Sequence, residues 1–222
     1  MTRARGLRFI GACLAALFVM SASAMTAGGT KEWRFGVLLD GKPIGYHRFE
    51  LSESGAQRTL RSEARFNVKV LFINAYRYEH DSVELWQGDC LSRIDARTDD
   101  NGSRLEVRGA MTAALFVISS PRRDTIPASC VQTFAYWNPQ ILTAGCLLNP
   151  QTGEYLPVRV EHLGPETLAV RGVPQAAQHY RLSGAAGSGG KLLIDLWYSP
   201  EREWLALEAT TANGRRLRYQ LQ

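Results

Sequence analysis

The sequence lacks the short motifs that mark most hydrolases and metal proteins. It contains no Gly-x-Ser-x-Gly nucleophile elbow, and Ser188, which has a glycine on each side, belongs to a Gly-rich segment typical of a linker. The histidines are few, and none is spaced with a second histidine or a cysteine as a ligand pair. A metal site assembled from distant strands would leave no such signature, but the sequence itself gives no reason to expect a metal or a cofactor.

Long apolar runs and a strong charge of one sign are also missing. The longest apolar stretch, residues 9–20, is shorter than the roughly 20 residues that a membrane-spanning helix needs. The 26 lysines and arginines and 21 acidic residues give a net charge of +5. Arg3, Arg5 and Arg8 belong to an N-terminal segment with the form of a cleavable export signal, and its removal lowers the net charge by three to +2. We therefore expect no nucleic acid as a partner and no transmembrane span after signal cleavage.

The first residues have the three-part form of an export signal. The three arginines precede the apolar stretch, and Ala22 and Ala24 then supply the small side chains that signal peptidase requires. Cys13 offers another interpretation, as a lipid-attachment site, but most of the apolar stretch follows this cysteine instead of preceding it. We predict a periplasmic or secreted protein with three parts. They are a signal peptide, a flexible N-terminus and a single β domain, over residues 1–24, 25–31 and 32–222.

Apolar and polar residues alternate in several segments, most clearly over residues 59–70, and again over 33–39 and 216–221. This period of two predicts half-buried strands with one dry face. Turn dipeptides separate such segments at hairpin spacing. They are Asp40-Gly41, Ser54-Gly55, Asn101-Gly102, Gly164-Pro165 and Asn213-Gly214.

The predicted fold is therefore all-β, as a strongly curved antiparallel sheet or incomplete barrel of about ten to twelve strands. The only helical candidates are short. One covers residues 138–144, with Pro139 at a first-turn position, and the other is a turn near residues 175–178.

The segment of residues 75–86 carries the most unusual side chains. If it is a single strand, Tyr78, His80, Glu84 and Trp86 lie on one face. We expect this face to line the concave side of the sheet, with His80 and Glu84 as a polar pair about 7 Å apart at the backbone. The alternative is an outer, solvated face on which the charges pair across strands.

A second group of aromatic and amide side chains is Tyr136, Trp137 and Asn138. Large rings of this kind are enriched where a surface meets a ligand or a partner, so we expect this loop to border the opening of a ligand cavity. The same rings could instead plug the open end of a sheet.

Three cysteines follow the export signal, and an exported protein tends to oxidise them in pairs. One disulfide and one free thiol is the simplest count for Cys90, Cys130 and Cys146. Loop entropy favours a bond of Cys90 with Cys130 over a bond of Cys130 with Cys146 by only about 1 kcal/mol, which is too little to choose between them. We predict the bond between Cys90 and Cys130.

Several segments together resemble an uncharacterised family of secreted proteobacterial β proteins that is classed only as a domain of unknown function. The segments that carry this resemblance are residues 39–45, 76–86, 98–102, 136–138, 147–153 and 195–198. The resemblance implies export and a β architecture without implying an activity. It also implies a distant similarity to the curved-sheet periplasmic carriers of lipoproteins.

Three functions are compatible with these features. The first is a non-catalytic periplasmic protein that binds a lipid or another hydrophobic envelope molecule in its curved sheet. The second is an envelope enzyme that uses His80 as a general base oriented by Glu84. The third is an interaction module that presents its aromatic loop to an envelope protein.

Overall fold

The alternating segments form strands throughout the part of the chain that the structure describes. The structure, a computed structural model, describes residues 29–70, 73–120, 122–126, 130–185, 190–211 and 213–222, so the predicted signal peptide lies outside the described residues. The strands are β1 (Thr30–Leu39), β2 (Lys42–Ser54), β3 (Gln57–Val70), β4 (Ile73–Gln87), β5 (Cys90–Asp100), β6 (Ser103–Met111), β7 (Phe116–Ser120), β8 (Arg122–Ile126), β9 (Cys146–Leu148), β10 (Tyr155–Val170), β11 (Val173–Ala185), β12 (Lys191–Tyr198), β13 (Trp204–Thr210) and β14 (Arg216–Leu221).

All fourteen strands belong to one antiparallel sheet that curves without closing. The order is β8-β7-β6-β5-β4-β3-β2-β1-β14-β13-β12-β11-β10-β9, so β1 pairs with both its successor β2 and the last strand β14. The predicted all-β class and curved, incomplete barrel are confirmed. The count exceeds the expected one because β7, β8 and β9 are only three to five residues long, too short to show an alternating pattern.

Three local expectations differ from the structure. Gly164-Pro165 is not a hairpin turn, since it lies inside β10, where the register shifts between His162 and Gly164 and the glycine adopts a φ of 110°. A bulge and a turn use the same residue types, which explains the misassignment. The turn expected near residues 175–178 is part of β11, and Thr30 and Lys31, expected in the flexible N-terminus, belong to β1.

Residues 130–138, which we call the closing segment, connect two distant parts of the sheet. The backbone N–H of Leu91 in β5 donates to Val131 O at 2.8 Å. On the other side, the backbone N–H of Leu148 in β9 donates to Gln132 O, also at 2.8 Å. The disulfide between Cys90 and Cys130 anchors the start of this segment, as predicted, and Cys146 is a free cysteine.

A short 3-10 helix, Pro139–Thr143, follows the closing segment and confirms the helical turn expected there. Asn138 caps this helix, because its side-chain oxygen accepts a hydrogen bond from the Gln140 N–H at 3.2 Å. Proline at the first position supplies the fixed φ that begins a helix. Asn138, at the end of the closing segment, therefore has a structural role as the cap of this helix.

Candidate functional site

The strands β2 to β5 place a row of polar side chains on the inner face of the sheet. The antiparallel register sets His47 of β2 opposite Ala64 of β3, Ala64 opposite His80 of β4, and His80 opposite Thr98 of β5. One row further along, Ser62 of β3 faces Ser82 of β4. The small Ala64 therefore separates two histidines on alternate strands.

His47, Ser62, His80 and Ser82 line one side of an interior cavity of about 240 Å³, together with the apolar Phe49 and Leu60. The opposite wall comes from β12, β13 and β14 and is apolar apart from Tyr219. Its apolar residues are Leu192, Ile194, Leu207, Ala209 and Leu217. Phe134, Ala135 and Tyr136 of the closing segment complete the lining, together with residues 149–151. Of these three residues, Gln151 is exposed to solvent.

A larger depression on the outer face of the sheet does not have the character of a ligand cavity. It measures about 520 Å³ and lies among long charged side chains such as Arg48, Glu50 and Arg97, several of which already form surface ion pairs. Open space of this kind excludes little water from a ligand. The interior cavity is therefore a better candidate site than this depression, despite its smaller volume.

His80 lies in the polar wall and is only 3% exposed. Its Nδ1 forms a hydrogen bond of 3.0 Å with Thr98 Oγ1, which fixes the ring orientation. Burial lowers the pKa of His80 to about 4, so the imidazole is neutral at neutral pH. Among the described residues, Nε2 has no hydrogen-bond partner, and this atom is available to a ligand.

Glu84 is equally buried, at 3% exposed, and also lines the cavity. Its Oε2 accepts hydrogen bonds of 3.1 Å from both Trp86 Nε1 and Thr133 Oγ1. Burial raises the pKa of Glu84 to about 7, and the two hydrogen bonds only partly counter this effect. Within the described part of the chain, Oε1 has no partner, so one carboxyl oxygen is fixed and the other is free.

A second histidine, His47, forms a hydrogen-bonded group with Ser62 and Tyr219. His47 Nε2 lies 2.7 Å from Ser62 Oγ, and Nδ1 lies 3.2 Å from the Tyr219 hydroxyl. Burial, followed by the proximity of His80, lowers the pKa of His47 well below its ordinary value. Both histidines of the cavity are therefore uncharged in the folded protein at neutral pH.

The sequence reasoning missed His47, Ser62 and Tyr219 as site residues. A signal was nevertheless present, because Ser62 occupies an inward position of the strongly alternating β3, between the apolar Leu60 and Ala64. A polar residue in the dry register of a strand needs a hydrogen-bond partner, and an interior polar site is one place to find it.

The expected site residues are thus divided between the cavity and the core. His80, Glu84 and Tyr136 line the cavity, whereas Tyr78 stacks on Phe66 with ring centres 5.2 Å apart. Trp86 is fully buried and meets Trp137 edge to face at 5.4 Å. These rings, with the helix cap Asn138, form the support around the cavity.

His80 and Glu84 do not form the pair that the sequence suggested. They are four residues apart on one strand, which corresponds to about 14 Å at roughly 3.4 Å per residue, and the expected 7 Å applies to a separation of two residues. His80 forms a hydrogen bond with Thr98, whereas Glu84 accepts hydrogen bonds from Trp86 and Thr133. Glu84 consequently does not orient the His80 imidazole.

Across the described ranges, no three His, Cys, Asp or Glu side chains are grouped as they would need to be to hold a metal ion. No helix within those ranges is long and apolar enough to span a membrane.

Comparison with known proteins places the chain among domains without an assigned activity. No curated protein matches it. The crystal structure of a beta-barrel-like protein of the domain of unknown function DUF1849 from Brucella abortus is similar, with a TM-score of 0.65 at 8% identity over 86% of this chain and 94% of that one. This likeness concerns the fold alone, and the similarity to lipoprotein carriers stays a prediction. Residues 35–222, nearly all of the described sheet, match the family of domain of unknown function DUF6134, and the chain therefore belongs to that family.

Proposed function

We propose that this chain is a non-catalytic binding protein, periplasmic or secreted, that holds a small amphiphilic molecule in its interior cavity. The observation that carries the proposal is the uneven distribution of polar groups in this cavity. Strands β2 to β4 contribute five polar side chains beside the apolar Phe49 and Leu60, whereas β12 to β14 contribute five aliphatic side chains and one polar group, the phenol of Tyr219. Ligand sites typically combine a mostly apolar lining with a few fixed polar groups.

The volume of the cavity limits the size of the ligand. At about 240 Å³ it lies below the roughly 300 to 1,000 Å³ of pockets that hold drug-sized molecules. It exceeds the about 150 Å³ of an engineered apolar cavity that binds benzene. A ring or a single short chain with one polar group fits this space, whereas a complete two-chain lipid does not.

The polar wall is ordered before any ligand arrives. Thr98 holds the ring of His80, and Thr133 and Trp86 hold one oxygen of Glu84. Because these side chains are already fixed, a ligand would not have to immobilise them, and the entropy cost of binding is smaller. This arrangement supports binding rather than a purely structural polar core.

An enzyme is the second candidate, and the hydrogen bond between His47 and Ser62 favours it. The distance of 2.7 Å from Nε2 to Oγ suits an activated nucleophile. Ser62 lies in the middle of β3, however, where the strand ladders occupy the backbone N–H groups that usually bind an oxyanion. A fluorophosphonate probe tests this candidate, since labelling of wild type but not of Ser62→Ala would favour the enzyme over the binding protein.

The interaction module receives less support from the geometry. It requires an exposed aromatic loop, but Trp137 is 6% exposed and Asn138 is 2% exposed. Both side chains pack towards the protein. The closing segment therefore presents little aromatic surface to a partner.

Native mass spectrometry of the protein purified from its own source tests the binding proposal. We expect a small molecule to accompany the folded protein and to be released on unfolding. Ala209→Phe, which fills the apolar side of the cavity, should abolish this adduct, whereas Ala176→Phe on the exposed part of β11 should retain it. An adduct that persists in Ala209→Phe, or the absence of any adduct together with no binding of short amphiphiles, would overturn the proposal.

A further inference from the structure

We propose, on the basis of the binding function above, that the cavity selects amphiphiles by their head group and accepts a protonated amine on a short apolar chain. The carboxyl group of Glu84 would bind the ammonium, and the wall formed by β12 to β14 would cover the chain. This inference names the ligand class that the proposed function leaves open.

The first support is a ladder of free polar atoms on β4. His80, Ser82 and Glu84 alternate along this strand, all three are buried and all line the cavity. Within the described residues, His80 Nε2, Ser82 Oγ and Glu84 Oε1 have no hydrogen-bond partner. An ammonium group carries three N–H donors, and the free Oε1 of Glu84 is an acceptor for one of them. The other carboxyl oxygen is already held by Trp86 and Thr133, so Oε1 is the oxygen left to a ligand.

The second support is the charge of the lining. None of the described residues that line the cavity is a lysine or an arginine. The titratable groups that face Glu84 across the cavity are His47 on β2, His80 on β4, Tyr136 in the closing segment and Tyr219 on β14. The histidines are neutral and the tyrosines are uncharged at neutral pH, so the wall offers nothing that would neutralise a carboxylate or a phosphate.

The third support distinguishes an amine from an alcohol. A buried carboxylate without a cation is unfavourable, and burial accordingly raises the pKa of Glu84 to about 7. A bound ammonium would supply the absent opposite charge, whereas an alcohol would supply only a hydrogen bond. Leu60 and Ile94, the cross-strand neighbours of Glu84, are apolar and cannot provide that charge from the protein itself.

Calorimetric titration with three probes of equal chain length tests the inference. The probes are hexylamine, 1-hexanol and hexanoate, each measured with wild type from pH 5.5 to pH 8. We expect hexylamine to bind at least about tenfold more tightly than 1-hexanol at pH 8. Below the pKa of Glu84 its affinity should fall by up to about tenfold per pH unit, because binding then releases one proton. Hexanol affinity should not vary in this way, and hexanoate should bind most weakly.

Glu84→Gln is the decisive variant, because it keeps the shape and the acceptor oxygen but removes the charge. We expect it to lose the preference for hexylamine and the pH dependence while still binding hexanol. Glu106→Gln, on the exposed face of β6, is the matched control and should behave as wild type. Equal affinities for amine and alcohol, tighter binding of hexanoate, or an amine preference that survives in Glu84→Gln would overturn the inference. Failure of all three probes to bind would overturn this inference, and together with the absence of any adduct in native mass spectrometry it would overturn the binding function as well.

Discussion

Thr133 donates a hydrogen bond of 3.1 Å to the carboxyl group of Glu84, although the two residues are 49 positions apart in the chain. Thr133 belongs to the closing segment, and Glu84 lies on the inner face of β4. The segment that spans the open side of the sheet thus also holds the ionisable group of the cavity. Its attachment through Cys130 to Cys90 makes the geometry of the cavity depend on a covalent bond outside it.

The disulfide should make a large contribution to stability. We expect the double variant Cys90→Ser and Cys130→Ser to lower the free energy of unfolding by about 2 to 4 kcal/mol, because the bond closes a loop of 40 residues in the unfolded chain. Urea unfolding measures this change. Cys146→Ser, the matched control, should change stability by less than about 0.5 kcal/mol. Thiol counting on denatured, unreduced protein should find one free cysteine, and three would contradict the disulfide.

Glu84→Gln should become more stable relative to wild type as the pH rises. The pKa of Glu84 is about 7 in the folded protein, against 4.5 as its ordinary value. Between these values the unfolded chain ionises first, so wild type loses stability as the pH increases through 7, by on the order of 3 kcal/mol in total. Parallel denaturation of both proteins at pH 4.5 and pH 8 measures the difference. A difference that does not change with pH would contradict the raised pKa.

Thr133→Val should destabilise the protein more at pH 8 than at pH 5. The hydroxyl of Thr133 stabilises the ionised form of Glu84, and the ionised form predominates only above its pKa. We expect a loss of about 1 to 3 kcal/mol at pH 8. In the Glu84→Gln background the effect should be smaller and independent of pH. An equal loss at both pH values in both backgrounds would show that Thr133 acts through packing alone.

His80→Ala should cost about 1 to 3 kcal/mol in urea unfolding, because it removes the partner of the buried Thr98 hydroxyl. His162 provides a control, since it is exposed, forms a hydrogen bond with the half-buried Gln178 and stacks on Tyr180 without entering the cavity. His162→Ala should cost less than about 0.5 kcal/mol. Similar small changes for both variants would argue against a fixed imidazole in the cavity wall.

The export of the protein can be tested directly. We predict that the exported form begins at Met25, because Ala22 and Ala24 precede the expected cleavage point. N-terminal sequencing of protein from the periplasm or the medium provides the answer. A sequence that begins at Met1, or a lipid-modified Cys13, would contradict the predicted signal peptide.

The long strands could be predicted because their pattern is local. Residues 33–39, 59–70 and 216–221 alternate so regularly that they indicate β1, β3 and β14, and Asp40-Gly41 and Asn101-Gly102 mark true hairpins with positive φ. The pairing of β1 with β14 has no local signature, because it joins strands separated by most of the chain. The register that brings residues of several strands to one cavity cannot be predicted either, because it too depends on pairing between strands that are far apart in the chain.

The candidate site was accessible to sequence only in part. His80 and Glu84 could be assigned to one face because they lie on one strand. The expected distance of about 7 Å was too short, because it corresponds to two residues along the strand and the two side chains are four residues apart. His47 and Tyr219 are 172 positions apart and meet only through the neighbouring positions of β2, β1 and β14 in the sheet. No pattern within either strand could reveal this contact.

The pairing of β1 with β14 is the only neighbouring pair in the described sheet whose strands are not consecutive in the chain. If the chain were opened between β8 and β9 and β14 were linked to β1, the strands would run from β9 to β14 and then from β1 to β8. Every strand would then pair with its immediate successor, as in a simple meander. Leu221 lies opposite Phe35, so the linker would have to span Thr30 to Arg34, about 17 Å at roughly 3.4 Å per residue. Such a circular permutant has a lower contact order and should fold faster than the natural protein. In the natural protein the pairing of β1 with β14 joins residues that are separated by most of the chain.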